Sequence, residues 1–256
     1  DKMSKGTVDW LNQALLGGKV RDGHGLVSGD LDDWPFTHNN GRFEATAHID
    51  NGQFKFQPDW PAMDHVSANI AFIGNGFSIE GQGALAGVRV ESFKAAIPEF
   101  SKAELSINAR GGSDAAQMLA MLRQSPLQEK YADTLDNLGA SGPALASYDM
   151  LLPLHDHGAN RKTRGSVELQ GVKLTDKRWD LASDNVRGKA DFDRDGFAAE
   201  KLAVSQKAQS GASQPGVLSL RAGSGVRDKR QAFEAELSAS LSAGELLDRA
   251  PEMAWL

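Results

Sequence analysis

Two stretches of strict alternation constrain this chain more than anything else in it. Phe43, Ala45, Ala47 and Ile49 interleave with Glu44, Thr46, His48 and Asp50; Phe233, Ala235, Leu237, Ala239 and Leu241 interleave with Glu234, Glu236, Ser238 and Ser240. A period of two sends the apolar side chains to one face of an extended strand and the polar ones to the other. The chain is therefore expected to be mainly β, with one oily and one wet face, as in antiparallel sheets.

Turn chemistry joins such strands. Asn51-Gly52 predicts a type I′ turn pairing Ile49 with Phe54 and Ala47 with Phe56. Val66, Ala68, Ile70 and Phe72 alternate as far as Gly74-Asn75-Gly76. A turn on Gly74-Asn75, with Gly76 as a bulge residue, pairs Phe72 with Phe77 and Ile70 with Ile79. Val88-Val90 and Leu105-Ile107-Ala109 continue the pattern. Strands resume at Leu145, through Val167-Leu169, Val186, Ala190, Phe192, Leu202 and Val204. Ser205 to Gly216 is expected to be a mobile loop.

Helical spacing is confined to three places. Val8, Leu11 and Leu15 follow a Thr7 or Asp9 cap and end at Gly17-Gly18, before a Gly-rich connection through Gly23, Gly25 and Gly29. Met118, Leu119 and Leu122 form one stripe; after Ser125-Pro126, with Ser as cap, Leu127, Tyr131, Leu135 and Leu138 form another, ended by Gly139. Ser242-Ala243-Gly244-Glu245 is a capping box opening a last helix. The expected organisation is 1–41, N-terminal helix and first strand; 42–112, a first β unit; 113–139, a helical insert; 140–241, a second β unit; and 242–256, the start of a helix. A repeat supports the two units: Trp60, Val66, Phe72, Gly76-Phe77 recur as Trp179, Val186, Phe192, Gly196-Phe197, offset by 120 residues from Val66 onward.

Composition narrows the chemistry. A net charge of −6 argues against nucleic acid, whose phosphates require clustered Lys and Arg. There are no cysteines, so disulfides, thiolate metal sites and cysteine nucleophiles are excluded. No run of 18 apolar residues occurs, and both ends read as cut, so the chain is expected to be a piece of something longer. Asp191 to Gly196 matches half of a calcium loop, but its twelfth position is Leu202 rather than a bidentate Glu, which favours a plain hairpin turn. His155-Asp156-His157 has no identifiable third metal ligand beside Pro153 and Gly158. None of the Gly-x-Gly stretches opens a helix after a strand, no Ser sits in a nucleophile elbow, and no cofactor motif occurs, so no enzyme is expected. Patterning leaves the apolar stripe open to two readings: an ordinary packed core, or a trough open to apolar ligands.

Trp10-Leu11-Asn12-Gln13-Ala14-Leu15, Gly18, Gly29-Asp30-Leu31, Trp34-Pro35-Phe36, Pro58-Asp59-Trp60-Pro61, Ile97-Pro98 and Ser125-Pro126-Leu127 together resemble the YhdP branch of the AsmA-like envelope proteins. The resemblance runs over nearly the whole chain. It implies repeated β units that build a long groove, so that with the helices read above the expected fold is an elongated, curved antiparallel sheet (a β-groove) with a short N-terminal helix and a two-helix insert. It implies a periplasmic segment of an inner-membrane-anchored, bridge-like protein that moves phospholipid between the inner and outer membranes. Implied partners are phospholipid acyl chains, the rest of the same longer chain and other envelope proteins; the alternative is a structural envelope module with a fully packed sheet. The implied groove lining is Phe43, Ile49, Phe54, Phe56, Val66, Ile70, Phe72, Ile79, Leu105, Ile107, Val167, Leu169, Val186, Phe192, Phe233, Leu237 and Leu241. No catalytic residue carries over.

Overall fold

The computed structural model describes residues 13–33, 36, 40–56, 59–154, 160–178, 181–207 and 213–239. Among these residues thirteen strands form one antiparallel sheet: β1 (Leu15–Gly29), β2 (Gly41–Phe54), β3 (Met63–Ile73), β4 (Gly76–Leu85), β5 (Val88–Ile97), β6 (Glu104–Asp114), β7 (Leu138–Ser141), β8 (Pro143–Pro153), β9 (Lys162–Asp176), β10 (Leu181–Asp193), β11 (Gly196–Lys207), β12 (Ser213–Gly223) and β13 (Phe233–Ala239). Each strand pairs with its sequence neighbour, except that β8 follows β6 in the sheet while β7 pairs with the end of β9. Between β6 and β7 stand α1 (Ala115–Arg123) and α2 (Leu127–Asn137). Among the described residues no helix is long and apolar enough to cross a membrane.

The hairpin on Gly74-Asn75 forms with Phe72 opposite Phe77 and Ile70 opposite Ile79. Gly76 pairs regularly with Ile73 and makes no bulge. Asn51-Gly52 does not turn the chain. β2 runs straight through it, Ile49 faces Val20 and Ala68, and Phe54 faces Leu15 and Met63. Asn51 instead takes a positive φ of 49° at a β-bulge, the other use to which an Asn-Gly pair can put a left-handed residue. The glycine-rich segment after Leu15 is a strand, because β2 offers it a ladder that outweighs weak β-propensity at a sheet edge. Leu15 and Gly17-Gly18 therefore belong to β1, leaving only Gln13 and Ala14 as the end of a helix; the rest of that predicted helix lies outside the described residues. Ser205 and Gly216 are likewise paired, closing the expected loop to its undescribed middle. The helix predicted after Ser242 lies outside the described residues.

In the insert, Asp114 caps α1 by accepting from the Ala116 amide at 2.8 Å and also accepts from the Gly142 amide at 2.9 Å, tying the insert's two ends together. Ser125 accepts from the Leu127 amide at 3.3 Å, and α2 begins at Leu127, one residue later than Pro126 suggested. Arg123 donates to the carbonyls of Leu135 and Leu138, satisfying the end of α2 and binding the helices into one hairpin.

Among the described residues no second sheet covers the apolar face, yet Val66, Val186 and Leu202 are 3%, 0% and 1% exposed. Around Leu202 the packing partners all come from β9–β12, and around Val66 all come from β3–β5. A single sheet can bury its own face in this way only by curling around it. The curl follows a line of register shifts: Ile49/Gly52, Asp64/Ser67, Gly81/Gly83, Val90/Ser92, Ser183/Val186 and Ala199/Leu202. Bulges bend and twist the strand that carries them. The sequence repeat extends to this backbone detail. His65 and Asn185 are bulge residues with the same φ of 53°, each followed by a valine that faces a bulged neighbour, Gly52 or Val172.

Replacing Leu202 by Ala removes a side chain buried by curvature and should cost about 2–4 kcal/mol in a urea titration, whereas Leu237→Ala, at a 37% exposed site on the same face, should cost less than about 1 kcal/mol. Equal losses would contradict the account of how this face is covered.

Candidate functional site

Residues opposite one another in an antiparallel ladder share a face, so the register can be followed from edge to edge. One row runs Val20, Ile49, Ala68, Gly81, Phe93, Ala109, Tyr148, Gly165, Phe192, Phe197, Ala222, Phe233. It crosses every strand of the main path and holds no charge. The row starting at Arg21 on the opposite face reads His48, Asn69, Glu80, Lys94, Asn108, Asp149, Arg164, Asp193. Twelve strands about 4.8 Å apart make the apolar row about 50 Å long.

Of the predicted lining residues, Phe43, Ile49, Phe54, Val66, Ile70, Phe72, Ile79, Leu105, Ile107, Val167, Leu169, Val186, Phe192, Phe233 and Leu237 lie on the face of this row. Phe56 lies past the end of β2, its ring 5.7 Å from that of Trp60. Leu241 lies outside the described residues. The same face also carries Phe77, expected opposite Phe72 though not among the lining residues, and Phe93, Ile97, Met150, Leu152, Phe197, Leu218 and Leu220, which the expected lining leaves out. Their period-two signal exists but is diluted, since Leu145 and Leu151 sit on the polar face beside Glu168 and Lys162.

The apolar face is not uniform. Its upper part, along the bulge line, is closed by the curl. Its lower part, with Phe43, Ile70, Phe72, Phe77, Ile97, Leu105 and Leu152, is only half buried. Aromatic rings shape this stretch: Phe72 and Phe77 meet at 5.1 Å, and the Phe192 ring lies so close over Gly165 that a Cβ there would come within 2.1 Å of it. The insert lies over the upper part. Ala115 and Met118 of α1 are buried with Val88, Ala144 and Val172, and Met121, Val167 and Leu169 pack against that cluster.

The charged row lies on the other face. A shallow hollow there is lined by Asn69, Glu80, Lys94, Asn108, Arg110 and Asp149, with Asn108 donating to Asp149 at 2.6 Å and Lys94 3.9 Å from Glu80. A twisted sheet is saddle-shaped, so a dish on this face accompanies the trough on the other. Arg221, 2% exposed, donates to Glu200 and lies 3.7 Å from Glu234 and 3.8 Å from Glu236. Asp193 closes the turn between β10 and β11: one carboxylate oxygen accepts from the Asp195 and Gly196 amides and the Ser224 hydroxyl at 2.7, 2.9 and 2.8 Å. Partial burial pushes its pKa up, but these donors and Lys130 outweigh that and hold the carboxyl below its ordinary range. No group of three His, Asp or Glu that could hold a metal ion occurs among the described residues, and His155-Asp156-His157 lies outside them.

The family model described as YhdP protein matches residues 1–254. The intermembrane phospholipid transporter YhdP of Escherichia coli (strain K12) is 31% identical over 204 residues, which is 79% of this chain and 16% of that protein. The chain thus spans about a sixth of the relative's length. No solved structure matches.

Because the chain has no native cysteine, the two faces can be read one dye at a time. A polarity-sensitive fluorophore on Ile107→Cys should emit to the blue of the same dye on Asn108→Cys, its neighbour on the opposite face, in steady-state emission spectra.

Proposed function

The chain belongs to the YhdP protein family, and from that premise we propose that it is a non-enzymatic stretch of a phospholipid conduit, a periplasmic part of an inner-membrane-anchored protein that bridges the two membranes of the envelope. The observation that carries the reading is the uncharged row from Val20 to Phe233, beside a half-buried lower trough on the same face. The name of the matched relative supports the choice of phospholipid.

The mechanism is physical rather than chemical. Drawing an acyl chain of some sixteen carbons into water costs on the order of 12 kcal/mol, at about 0.8 kcal/mol per CH₂. A trough lined by Ile70, Phe72, Phe77, Ile97, Ile107 and Leu152 offsets most of this by supplying apolar contact along its length. The headgroup stays in water at the rim. Apolar contact is non-directional, so a chain slides between equivalent positions without breaking specific bonds. A buried charge in the row would act as a trap or a barrier.

Purified protein should carry phospholipid detectable by native mass spectrometry. Ile70→Asp and Phe72→Asp each place a carboxylate in the trough and should reduce bound lipid by about tenfold, a change of roughly 1.4 kcal/mol, with the circular dichroism spectrum of the parent retained. Asn69→Asp, one residue away on the polar face, should leave it unchanged. Equal lipid in all four proteins would refute the assignment of the face.

A further inference from the structure

The insert does more than rest on the sheet: it bridges the two rims of the trough. β10 has 13 residues and, extended, would be about 43 Å long. Its start follows the turn holding Lys177 and Arg178, on the upper rim; its end leads into Arg194 and Asp195, on the lower rim. α2 touches both. At its C-terminal end Asn137 accepts from the Lys177 amide at 3.1 Å, and Asp133 takes a guanidinium N–H of Arg178 at 2.5 Å. Nearer its N-terminus Lys130 donates to the Arg194 carbonyl at 3.2 Å and lies 3.7 Å from a carboxylate oxygen of Asp195. Seven residues separate Lys130 from Asn137, about 10 Å at helical rise, with one non-helical residue, Tyr131 (φ −126°, ψ 30°), in the interval. The rims are therefore held much closer than the strand's contour length, and α2 crosses the mouth between them. An independent contact agrees: the Arg178 guanidinium, on the upper rim, stands 5.7 Å from the ring of Phe233, which starts its strand on the lower one.

Beneath this bar, Met118 of α1 is buried in the cluster against which Met121, Val167 and Leu169 pack. Val167 and Leu169 continue the face of the uncharged row upward from Gly165, so the insert stands beside the row where the conduit reading carries an acyl chain across β8–β10. We infer that the two-helix insert is a displaceable plug, α1 filling the lipid path and α2 latching it shut, so that lipid passes β8–β10 only when the insert lifts. The inference rests on the conduit reading and adds its point of control. Three features fit a moving part rather than a brace. The insert is covalently and hydrogen-bonded to the upper rim through Asp114, β7 and Lys177, whereas Lys130 reaches the lower rim at Arg194 and Asp195. That latch is exposed on both sides, with Lys130 49% and Asp195 70% accessible, and such pairs are weak and screened by salt. The covering side chains are methionines, unbranched and adaptable, so exchanging them for acyl CH₂ groups swaps one apolar contact for another.

Photo-crosslinking in the full-length protein tests this. A benzophenone side chain replaces Leu169, beneath α1, or Ile70, in the open stretch, and the protein is irradiated with vesicles of phosphatidylethanolamine and phosphatidylglycerol. Lys130→Ala should raise lipid labelling at position 169 several-fold and leave position 70 unchanged. Lys130→Cys with Asp195→Cys, joined by a reducible bis-thiosulfonate linker, should abolish labelling at 169 alone, and reductant should restore it, which also shows that the bridged protein is folded. Labelling at 169 that is the same in parent, released and bridged proteins, whether strong or absent, overturns the plug while the conduit stands. Absence of labelling at position 70 in every protein overturns the conduit, and the plug with it.

Discussion

A single sheet with one apolar face has a covering problem. In a sandwich the second sheet solves it, and in a barrel closure does; among the described residues neither covers most of the face. Curvature takes their place. Register shifts aligned from β2 to β5 and again through β10 and β11 fold the upper ends of the strands inward until Val66, Val186 and Leu202 are covered by their own neighbours. What remains half open below is the consequence of a bend that closes one side of the sheet first. The trough, the rims and the seat of the insert all follow from that crease.

Much of this was legible before any coordinates. The alternating stripes named the face, the Gly74-Asn75 hairpin set a register that holds, and the repeat from Val66 to Phe77 and from Val186 to Phe197 marked two related parts of the sheet. The misreadings share one cause. Asn51-Gly52 has the same local chemistry whether it turns a chain or bulges it, and the choice is made by β1 and β3 on either side. β1 itself is rich in glycine and owes its extended state to β2, so no local signal announces it. β12 was hidden by the Ser, Gln and Gly residues at its start, although Leu218, Leu220 and Ala222 alternate as clearly as any other stripe. Contacts between opposite rims, such as Arg178 with Phe233, join residues far apart in sequence and leave no pattern in it.

The polar face shows how the same sheet keeps its outside in water. Arg42 with Glu44, Lys94 with Glu80 and Arg221 among Glu200, Glu234 and Glu236 set opposite charges beside one another. The first of these lies within β2 and the others cross between strands; such pairs contribute little each, but like charges in the cross-strand positions would oppose pairing. Glu200 and Glu234 are held below the ordinary carboxylate range, Glu200 chiefly by its bond from Arg221 and Glu234 chiefly by backbone amides, so the charge that faces Arg221 is kept.

The crease has a further consequence, for assembly of the chain rather than for its cargo. A long alternating strand can slide by two residues against its neighbour and still match oil to oil, so alternation alone leaves the register degenerate. A bulge breaks that degeneracy. His65 can meet Asn51 at 3.1 Å, and Val66 can face Gly52, in one alignment only. Each irregularity thus acts as a notch that accepts its neighbour at a single offset, and a sheet built one hairpin after another is proofread at every step by the features that bend it.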